Sequence, residues 1–437
     1  MKRSIAYREA GGSVRAPASK SSTQRAVACA LLAGGGEGSD GAPRESVLRS
    51  PSRSADCLAA LGVAEGLGAT VEDRGDSIAM RGIGGRRKSG AEGAILSLSC
   101  GESGLCLRMF SPIAALFEGS VELAAEGSLR KRPVGTIAGP LRELGASCDT
   151  ASGLPPVLVR GPLRGGRARV DGRESSQLLT GLLVALPLAE KDSELDVEGL
   201  ASRGYVDLTL GTMRAFGVRA ERDPSYRRFS IPGRQSYRPA DFTVEGDWSG
   251  AAFLLVAGAI AAKGGPVVVE GLDQRSHQPD RAILDALRDA GAEVETQGGG
   301  ASGRASASRR VLAAFTFDAT DSPDLFPPLA CLALACEGES RIKGVWRLRG
   351  KESDRAAAIA EELGRLGARI SVEGEELVVH GGAALRGGIV DARGDHRIAM
   401  AAAIASLLAD GPVSIEGAEC VAKSWPSFYE DLAKIAR

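Results

Sequence analysis

Apolar and polar positions along the chain form a pattern that recurs five times. In each copy a helix-like stretch ends at a glycine, and apolar or β-branched residues then begin a strand-like stretch. Glycine is the usual residue in the left-handed conformation that ends a helix, so each copy predicts a helix followed by a strand. The five copies are Leu67-Gly68-Ala69-Thr70-Val71, Leu144-Gly145-Ala146-Ser147, Phe216-Gly217-Val218, Ala290-Gly291-Ala292-Glu293-Val294 and Leu366-Gly367-Ala368-Arg369-Ile370.

The spacing of these glycines predicts the architecture. They recur roughly every 75 residues, a period longer than the 20 to 50 residues of solenoid repeats, so each unit must hold several strands and helices. A last helix-like segment, 428–434, ends the chain one period later. The pattern therefore predicts six α/β units in two three-unit domains, with a joint near 232–239, where proline, glycine and polar residues cluster. Chance recurrence of a common helix stop is the alternative.

Composition and charge narrow the possible functions. The 437 residues, 43% hydrophobic and 25% charged, are ordinary for a globular protein of two or more domains. Lys and Arg number 54 against 55 Asp and Glu, and aromatic residues make up only 4%, so neither nucleic acid nor an anionic membrane is an expected partner. No stretch resembles a signal peptide or approaches the roughly 20 apolar residues of a membrane span, so we expect a cytoplasmic protein.

The cysteines and histidines indicate neither disulfides nor a metal centre. The eight cysteines include no Cys-x-x-Cys pair, and we expect reduced, mostly buried thiols. His277 and His380 lack metal-ligand partners at short spacing, and only His396, within a motif, is expected to matter. The glycine-rich residues 34–38 and the basic residues 85–88 are expected to form surface loops.

Candidate chemistry lies in short clusters that combine fixed positive charge with hydroxyls or carboxylates. Hydroxyl residues around Lys20 precede an apolar run and predict a capped helix, whose free N–H groups and positive dipole end attract anions. Arginine presents a bidentate fork and lysine a point charge, which suit phosphates and carboxylates. Each cluster alone fits an ordinary capped surface helix, but together they predict a site for anionic small molecules. The clusters are 19–25, 100–108, 128–133, 173–177, 351–355 and 395–397.

Two carboxylates are candidates for proton transfer. Asp324 follows Pro323 at a turn before an apolar helix, and Glu352 stands next to Lys351. Neighbouring charges can move the pKa of a carboxylate in either direction, as acid–base catalysis requires. Each residue is also explained as a helix cap or as a member of an ion pair.

The order of these segments resembles that of the EPSP synthases (5-enolpyruvylshikimate-3-phosphate synthases) over nearly the whole chain. One such motif would be weak evidence, but ten in the family's order are strong. The matching segments are Ser19-Lys20-Ser21 with Arg25, Gly104 with Arg108, Lys131-Arg132-Pro133, Ser175-Ser176-Gln177, Ser202-Arg203-Gly204-Tyr205, Val244-Glu245-Gly246-Asp247, Pro323-Asp324, Lys351-Glu352-Ser353-Asp354-Arg355, Asp395-His396-Arg397 and Lys423-Ser424-Trp425-Pro426.

The resemblance implies the enolpyruvyl transferase fold, an α/β (α+β) architecture of two domains. Each domain would hold three βαβαββ units around a pseudo-threefold axis, with the active site in the interdomain cleft. The N-terminal domain would be 15–238, on the shikimate 3-phosphate side. The C-terminal domain would be 1–14 plus 239–437, with the catalytic carboxylates and the cations that face phosphoenolpyruvate (PEP).

The resemblance also implies a reaction and a set of site residues. The enolpyruvyl group of PEP would pass to the 5-hydroxyl of shikimate 3-phosphate through a tetrahedral intermediate, with no metal or cofactor, in a monomer. Asp324 would act on the 5-hydroxyl and Glu352 on the PEP methylene carbon, assisted by Lys20. Shikimate 3-phosphate would contact Lys20, Ser21, Arg25, Ser175, Ser176, Gln177, Ser202, Tyr205, Asp324 and Lys351. PEP would contact Lys20, Gly104, Arg132, Gln177, Arg355, Arg397 and Lys423.

Four positions depart from common patterns of the family: Glu102, Leu105, Met109 and Arg347. A carboxylate at position 102 should repel PEP unless it points away. Arg347 falls where an asparagine usually helps to bind the phosphorylated ring. Gly104 matches the herbicide-sensitive form, so glyphosate is expected to compete with PEP.

Two alternative functions remain at this point. The UDP-N-acetylglucosamine enolpyruvyl transferase of wall synthesis shares the fold and PEP, but it usually has Lys-Asn where this chain has Lys20-Ser21. It also carries a reactive cysteine on a mobile loop, whereas Cys106 lies in an apolar run. The other alternative is a non-catalytic anion-binding paralogue, which predicts the loss of charged site residues that are present here.

Overall fold

The computed structural model describes residues 1–34, 44–84 and 94–437. The two stretches expected to be surface loops, 34–38 and 85–88, lie outside the described residues except for Gly34. The described chain divides into two compact units, Met1–Pro17 with Glu245–Arg437, and Ala18–Val244. The sequence-based proposal divides the chain after residues 14 and 238.

The strands form six small sheets, three in each unit. Within 18–244 the orders are β14-β3-β5-β4, β6-β7-β9-β8 and β10-β11-β13-β12, and in the other unit they are β16-β17-β15-β2, β18-β19-β21-β20 and β1-β23-β22. The strands are β1 Lys2–Ile5, β2 Ala10–Arg15, β3 Ser46–Arg49, β4 Thr70–Asp73, β5 Ser77–Arg81, β6 Ile95–Ser99, β7 Ser120–Ala124, β8 Ser147–Ala151, β9 Leu154–Arg160, β10 Arg167–Asp171, β11 Ser193–Glu198, β12 Glu221–Arg222, β13 Arg228–Ile231, β14 Asp241–Thr243, β15 Ala262–Glu270, β16 Glu293–Gln297, β17 Arg304–Ser308, β18 Thr316–Asp318, β19 Glu339–Lys343, β20 Arg369–Glu373, β21 Glu376–His380, β22 Gly388–Asp391 and β23 Val413–Glu416.

The helices alternate between buried and amphipathic along the chain. They are α1 Lys20–Leu32, α2 Ala55–Gly66, α3 Gly104–Ala114, α4 Ala138–Glu143, α5 Gln177–Ala185, α6 Arg203–Ala215, α7 Trp248–Ala261, α8 Ile283–Asp289, α9 Phe326–Leu334, α10 Arg355–Gly364, α11 His396–Ala405 and α12 Phe428–Ile435. The odd-numbered helices are almost wholly buried, and most of their residues are small or apolar. They contact one another within each unit, α1 and α5 against α3 in one, and α7, α9 and α11 in the other.

The five helix stops predicted from the sequence are confirmed. Gly68, Gly145, Gly217, Gly291 and Gly367 have φ angles of 106, 96, 85, 86 and 95°, in the left-handed region that glycine occupies without strain. They follow α2, α4, α6, α8 and α10, and a strand comes next each time. After Gly217 that strand is short and begins only at Glu221.

Candidate active site

The first candidate cluster lies at the start of the buried helix α1. The Ser19 hydroxyl caps the helix by accepting a hydrogen bond from the Ser22 N–H at 3.3 Å. The Lys20 Nζ atom lies 2.9 Å from Asp56 Oδ2, and both side chains are largely buried. The helix start therefore presents an ammonium group that a carboxylate already holds in place. Asp56 could not be predicted from the sequence, because it lies 36 residues from Lys20 and in no motif with it.

Arg25 carries a buried positive charge, and its hydrogen-bond acceptors are neutral oxygens. Its guanidinium donates to the Ser21 carbonyl at 2.9 Å, to the Thr209 and Thr180 hydroxyls at 2.9 and 3.3 Å, and to the Tyr205 carbonyl at 3.2 Å. Burial lowers the pKa of Arg25 to about 10, so the group stays protonated at neutral pH. A buried cation bound by neutral dipoles favours the approach of an anion.

A second group of cations surrounds the start of helix α3. Arg108 donates to the Gly104 carbonyl at 3.3 Å, to Gln177 Oε1 at 3.2 Å and to the Pro133 carbonyl at 2.7 Å. A Cβ atom added to Gly104 would lie 2.8 Å from Arg108 Nη1 and 3.0 Å from Arg132 Nη1. Burial, reinforced by the charge of Arg132, lowers the pKa of Arg108 to about 9. Two guanidinium groups thus converge where glycine leaves room.

The predicted serines lie beside two helix starts in the same unit. Ser175 Oγ accepts a hydrogen bond from the Gln177 N–H at 3.1 Å, and Ser176, which is buried, immediately precedes α5. Ser202 precedes α6 with φ 60° and ψ 48°, a left-handed conformation that a non-glycine residue adopts at a cost of about 1–3 kcal/mol. Such backbone strain, held by the surrounding fold, is typical of ligand-binding positions.

In the other unit a single guanidinium joins three carboxylates, and we call this group the Arg355 cluster. Arg355 donates to Asp324 Oδ1 at 2.9 Å, to Glu352 Oε2 at 2.6 Å, and to Asp395 Oδ2 and Oδ1 at 3.0 and 3.3 Å. Its side chain is 1% exposed. Asp395 also caps α11 by accepting from the Arg397 N–H at 3.0 Å. The two predicted proton-transfer residues, Asp324 and Glu352, therefore share one buried cation.

Asp324 is surrounded by positive charge. Arg397 Nη2 lies 3.0 Å from its Oδ2 atom, and Lys351 Nζ lies 3.6 Å from Oδ1. Burial alone would raise the pKa of Asp324, but Arg397, Lys351 and Arg355 outweigh burial and hold that pKa well below its usual range. The group is therefore ionised and able to accept a proton.

The pKa of Lys351 lies closer to neutral pH than that of an ordinary lysine. Burial lowers its pKa to about 8, a change that Asp324 opposes and that the charges of Arg355 and Arg347 reinforce. Arg347 is itself buried, and its Nε–H donates to the Thr320 carbonyl at 3.1 Å. The protonation of Lys351 is thus sensitive to a residue that departs from the family pattern.

Two further predicted residues complete this unit's set. Lys423 ends a short 3-10 segment at Ala418–Lys423 and is 7% exposed. His396 is buried at the first position of α11, with Nδ1 3.8 Å from Asp395 Oδ1. In each unit several of the basic side chains therefore lie near the starts of helices, where anions bind well.

The chain-wide comparison settles the family. A family model described as EPSP synthase (3-phosphoshikimate 1-carboxyvinyltransferase) matches residues 7–432. The chain belongs to the EPSP synthase family. The predicted family and fold class are thereby confirmed.

Curated relatives and solved structures agree with this assignment. Proteins named 3-phosphoshikimate 1-carboxyvinyltransferase from Aeropyrum pernix and Halobacterium salinarum are 43% and 41% identical to this chain. The alignments cover 97% of this chain in both cases, and 93% and 96% of the relatives. An EPSP synthase structure from Acinetobacter baumannii has a TM-score of 0.82 at 25% identity and covers 100% of this chain and 98% of that one.

The departures from common EPSP synthase patterns have separate structural roles. Leu105 and Met109 are buried in the hydrophobic core of 18–244. Glu102 bonds to Ser128, on the turn that leads to Arg132. Arg347 lies close enough to Lys351 to affect its pKa. The two charged departures are therefore the ones that touch the candidate site.

The described residues contain no group of three or more His, Cys, Asp or Glu side chains placed to hold a metal ion. None of the helices in 1–34, 44–84 and 94–437 is long and apolar enough to span a membrane. All eight cysteines are free thiols, and Cys420 is the one that is only half-buried.

Proposed function

We propose that the chain transfers the enolpyruvyl group of PEP to the 5-hydroxyl of shikimate 3-phosphate and releases phosphate. The family match over 7–432 supports this 3-phosphoshikimate 1-carboxyvinyltransferase reaction, which belongs to the shikimate pathway. The observation that carries the mechanism is the position of Asp324 and Glu352 on either side of the Arg355 guanidinium. No comparison favours the UDP-N-acetylglucosamine enzyme or a non-catalytic paralogue.

The binding roles follow from where the cations and hydroxyls lie. Arg25 and the serines before α5 and α6 suit the phosphate and hydroxyls of shikimate 3-phosphate. The two guanidiniums over Gly104 suit the PEP carboxylate or phosphate. We assign shikimate 3-phosphate to Lys20, Ser21, Arg25, Ser175, Ser176, Gln177, Ser202, Tyr205, Asp324 and Lys351. We assign PEP to Lys20, Gly104, Arg132, Gln177, Arg355, Arg397 and Lys423, and we add Arg108.

The reaction requires protons to move in both directions. In the addition step the 5-hydroxyl oxygen attacks C2 of PEP, Asp324 accepts the hydroxyl proton, and Glu352 delivers a proton to the methylene carbon. In the elimination step Glu352 takes a proton back from the new methyl group as the C2–O bond to phosphate breaks, and Asp324 gives its proton to the leaving phosphate. Two bound anions offset the charge of Lys351 and Arg397, which raises the pKa of Asp324 and makes it a stronger base.

Phosphate release is the direct test of this function. We expect purified protein to release phosphate from PEP when shikimate 3-phosphate is present. A parallel sample with PEP and UDP-N-acetylglucosamine should show none. Release with the second acceptor alone would establish the other transferase, and release with neither would establish a non-catalytic protein.

The pKa of Lys351 predicts an alkaline limit to activity. Lys351 is a cation below its pKa of about 8 and neutral above it, so the attraction for an anionic acceptor is present at pH 7 and lost as pH rises past 8. We expect kcat/KM for shikimate 3-phosphate to fall above pH 8 in the wild type. Lys351→Arg should remove this decrease of kcat/KM, since an arginine stays charged. Arg347→Asn should move the decrease to higher pH. A decrease at the wild-type pH in both variants would contradict the assignment.

Gly104→Ala is expected to weaken PEP binding. The added methyl group would lie 2.8 and 3.0 Å from the Arg108 and Arg132 guanidiniums, so both must shift away from their shared position. We expect KM for PEP to rise by about tenfold and competition by glyphosate to weaken, since a lost charge-assisted hydrogen bond costs roughly 1.5–3 kcal/mol. KM for shikimate 3-phosphate should stay the same. Gly62→Ala is the matched control, because a Cβ atom there meets nothing within 4 Å.

We also propose that the chain works as a cytoplasmic monomer. The cytoplasmic location rests on the eight cysteines, which include no Cys-x-x-Cys pair and indicate reduced thiols. Sedimentation analysis over a range of protein concentrations tests the oligomeric state.

A further inference from the structure

Glu102, which departs from the common family pattern, fixes the start of the turn that leads to Arg132. Glu102 Oε2 accepts hydrogen bonds from the Ser128 backbone N–H at 2.9 Å and from the Ser128 hydroxyl at 2.7 Å. Gly127 permits this approach, because its φ is 46° and an added Cβ would lie 2.3 Å from Glu102 Cδ. Hydrogen bonds to an ionised carboxylate are about twice as strong as neutral ones. The contact therefore depends on the carboxylate of Glu102, the missing side chain at Gly127 and the hydroxyl of Ser128.

The turn transmits this constraint to Arg132. Residues Gly127–Lys131 form a short 3-10 helix that includes Ser128, and the Arg132 N–H donates to the Leu129 carbonyl at 3.0 Å. At the other end, the Arg132 guanidinium lies over Gly104. Glu102 lies in the turn before α3, and Gly104 is the first residue of that helix. The segment 102–104 therefore contacts the start of the 3-10 helix through Glu102 and lies next to the Arg132 guanidinium at Gly104.

We propose that Glu102 is a positioning residue for PEP, which acts through Ser128 and the 127–131 turn to hold Arg132 above Gly104. This inference rests on the proposed function, in which Arg132 binds PEP. A carboxylate that only faced the ligand would instead repel it through its charge. The two roles of Glu102 therefore predict opposite changes in the KM for PEP when its charge is removed.

Steady-state kinetics of four variants tests the proposal. We expect Glu102→Ala and Ser128→Ala each to raise KM for PEP by about tenfold, the effect of losing a charge-assisted hydrogen bond. KM for shikimate 3-phosphate and kcat should stay within about twofold of wild type. Glu102→Gln, which keeps an oxygen acceptor, should give an intermediate value. Glu122→Gln, which alters another carboxylate that bonds to a serine (Ser97, at 2.9 Å), is the control and should change nothing.

A double-mutant cycle with Arg132→Ala separates this inference from the proposed function. We expect Arg132→Ala to raise KM for PEP, and Glu102→Ala to add no further increase in that background. A decrease of KM for PEP in Glu102→Gln, or an equal increase from Glu102→Ala with and without Arg132, would overturn the positioning role alone. An unchanged KM for PEP in Arg132→Ala would overturn the assignment of Arg132 and this inference with it. Ser128→Ala supplies the same test if Glu102→Ala does not fold.

Discussion

Asp324→Asn and Glu352→Gln are each expected to lower kcat by a factor of about 10²–10⁴, the usual contribution of a positioned acid or base. Each substitution keeps the approximate shape of the side chain but removes its charge and its ability to transfer a proton. Asp324 lies within 3.6 Å of Arg355, Arg397 and Lys351, so its loss also leaves three cations without their shared counter-charge. We therefore expect the larger decrease for Asp324→Asn.

Rapid-quench measurement of a single turnover tests the assignment of the two roles. Asp324→Asn should slow formation of the tetrahedral intermediate, because the 5-hydroxyl keeps its proton. Glu352→Gln should slow both formation and breakdown, because the methyl group gains and loses its proton there. Circular dichroism should show an unchanged fold in both variants. Asp321→Asn, an exposed carboxylate three residues earlier, is the matched control, and turnover near the wild-type rate in either test variant would refute its role.

Arg355→Met is expected to lower the free energy of unfolding by about 3–5 kcal/mol and to abolish turnover. The substitution leaves Asp324, Glu352 and Asp395 close together without the guanidinium that joins them, and Asp395 is fully buried. Removing one partner of a buried ionic cluster costs more than removing the cluster as a whole, because the remaining charges stay desolvated. Arg355→Lys should be intermediate, since a point charge cannot bond to three carboxylates at once.

The pH dependence of this destabilisation distinguishes a charge effect from a packing effect. Arg355 helps to hold the pKa of Asp324 below its unfolded value, so its contribution is fully present above about pH 4 and is lost as pH falls through the folded pKa. Urea unfolding should therefore show a larger difference between wild type and Arg355→Met at pH 7.5 than at about pH 3, below the unfolded pKa of the carboxyl. Arg288→Met, which removes an exposed ion pair with Asp285, is the control and should change stability by less than about 1 kcal/mol. A pH-independent difference would indicate lost packing instead.

Features set by a residue's immediate neighbours in sequence could be predicted, and features set by distant partners could not. The stop at Gly291 follows from the conformational freedom of glycine and needs no tertiary information. The pairing of Lys20 with Asp56 and the sharing of Arg355 by Asp324 and Asp395 join segments that only the fold brings together.

Three features of the site could not be assigned from sequence motifs alone. Arg108 belongs to a recognised motif, but only its contacts with Gln177 and its position over Gly104 indicate a binding role. Glu102 was expected to matter through repulsion of PEP, yet the direction of a side chain is not encoded in a motif. In the structure, its two hydrogen bonds to Ser128 show which way the side chain points. The left-handed backbone conformation of Ser202 could not be predicted from the sequence either, because serine rarely adopts it.

The two ends of the chain are joined within one unit, and this sets the order in which the protein can assemble during synthesis. Strand β1 pairs with β23, β2 pairs with β15, and the Arg8 N–H donates to the Arg437 carbonyl at 2.8 Å. The continuous stretch 18–244 emerges from the ribosome whole, about halfway through translation. In the unit that holds Asp324, Glu352 and Arg355, β2 can pair once β15 has been made, but β1 stays unpaired until β23 has been made. The unit with the proton-transfer residues therefore completes its folding later than 18–244, and β1 is the strand that a chaperone would have most to protect.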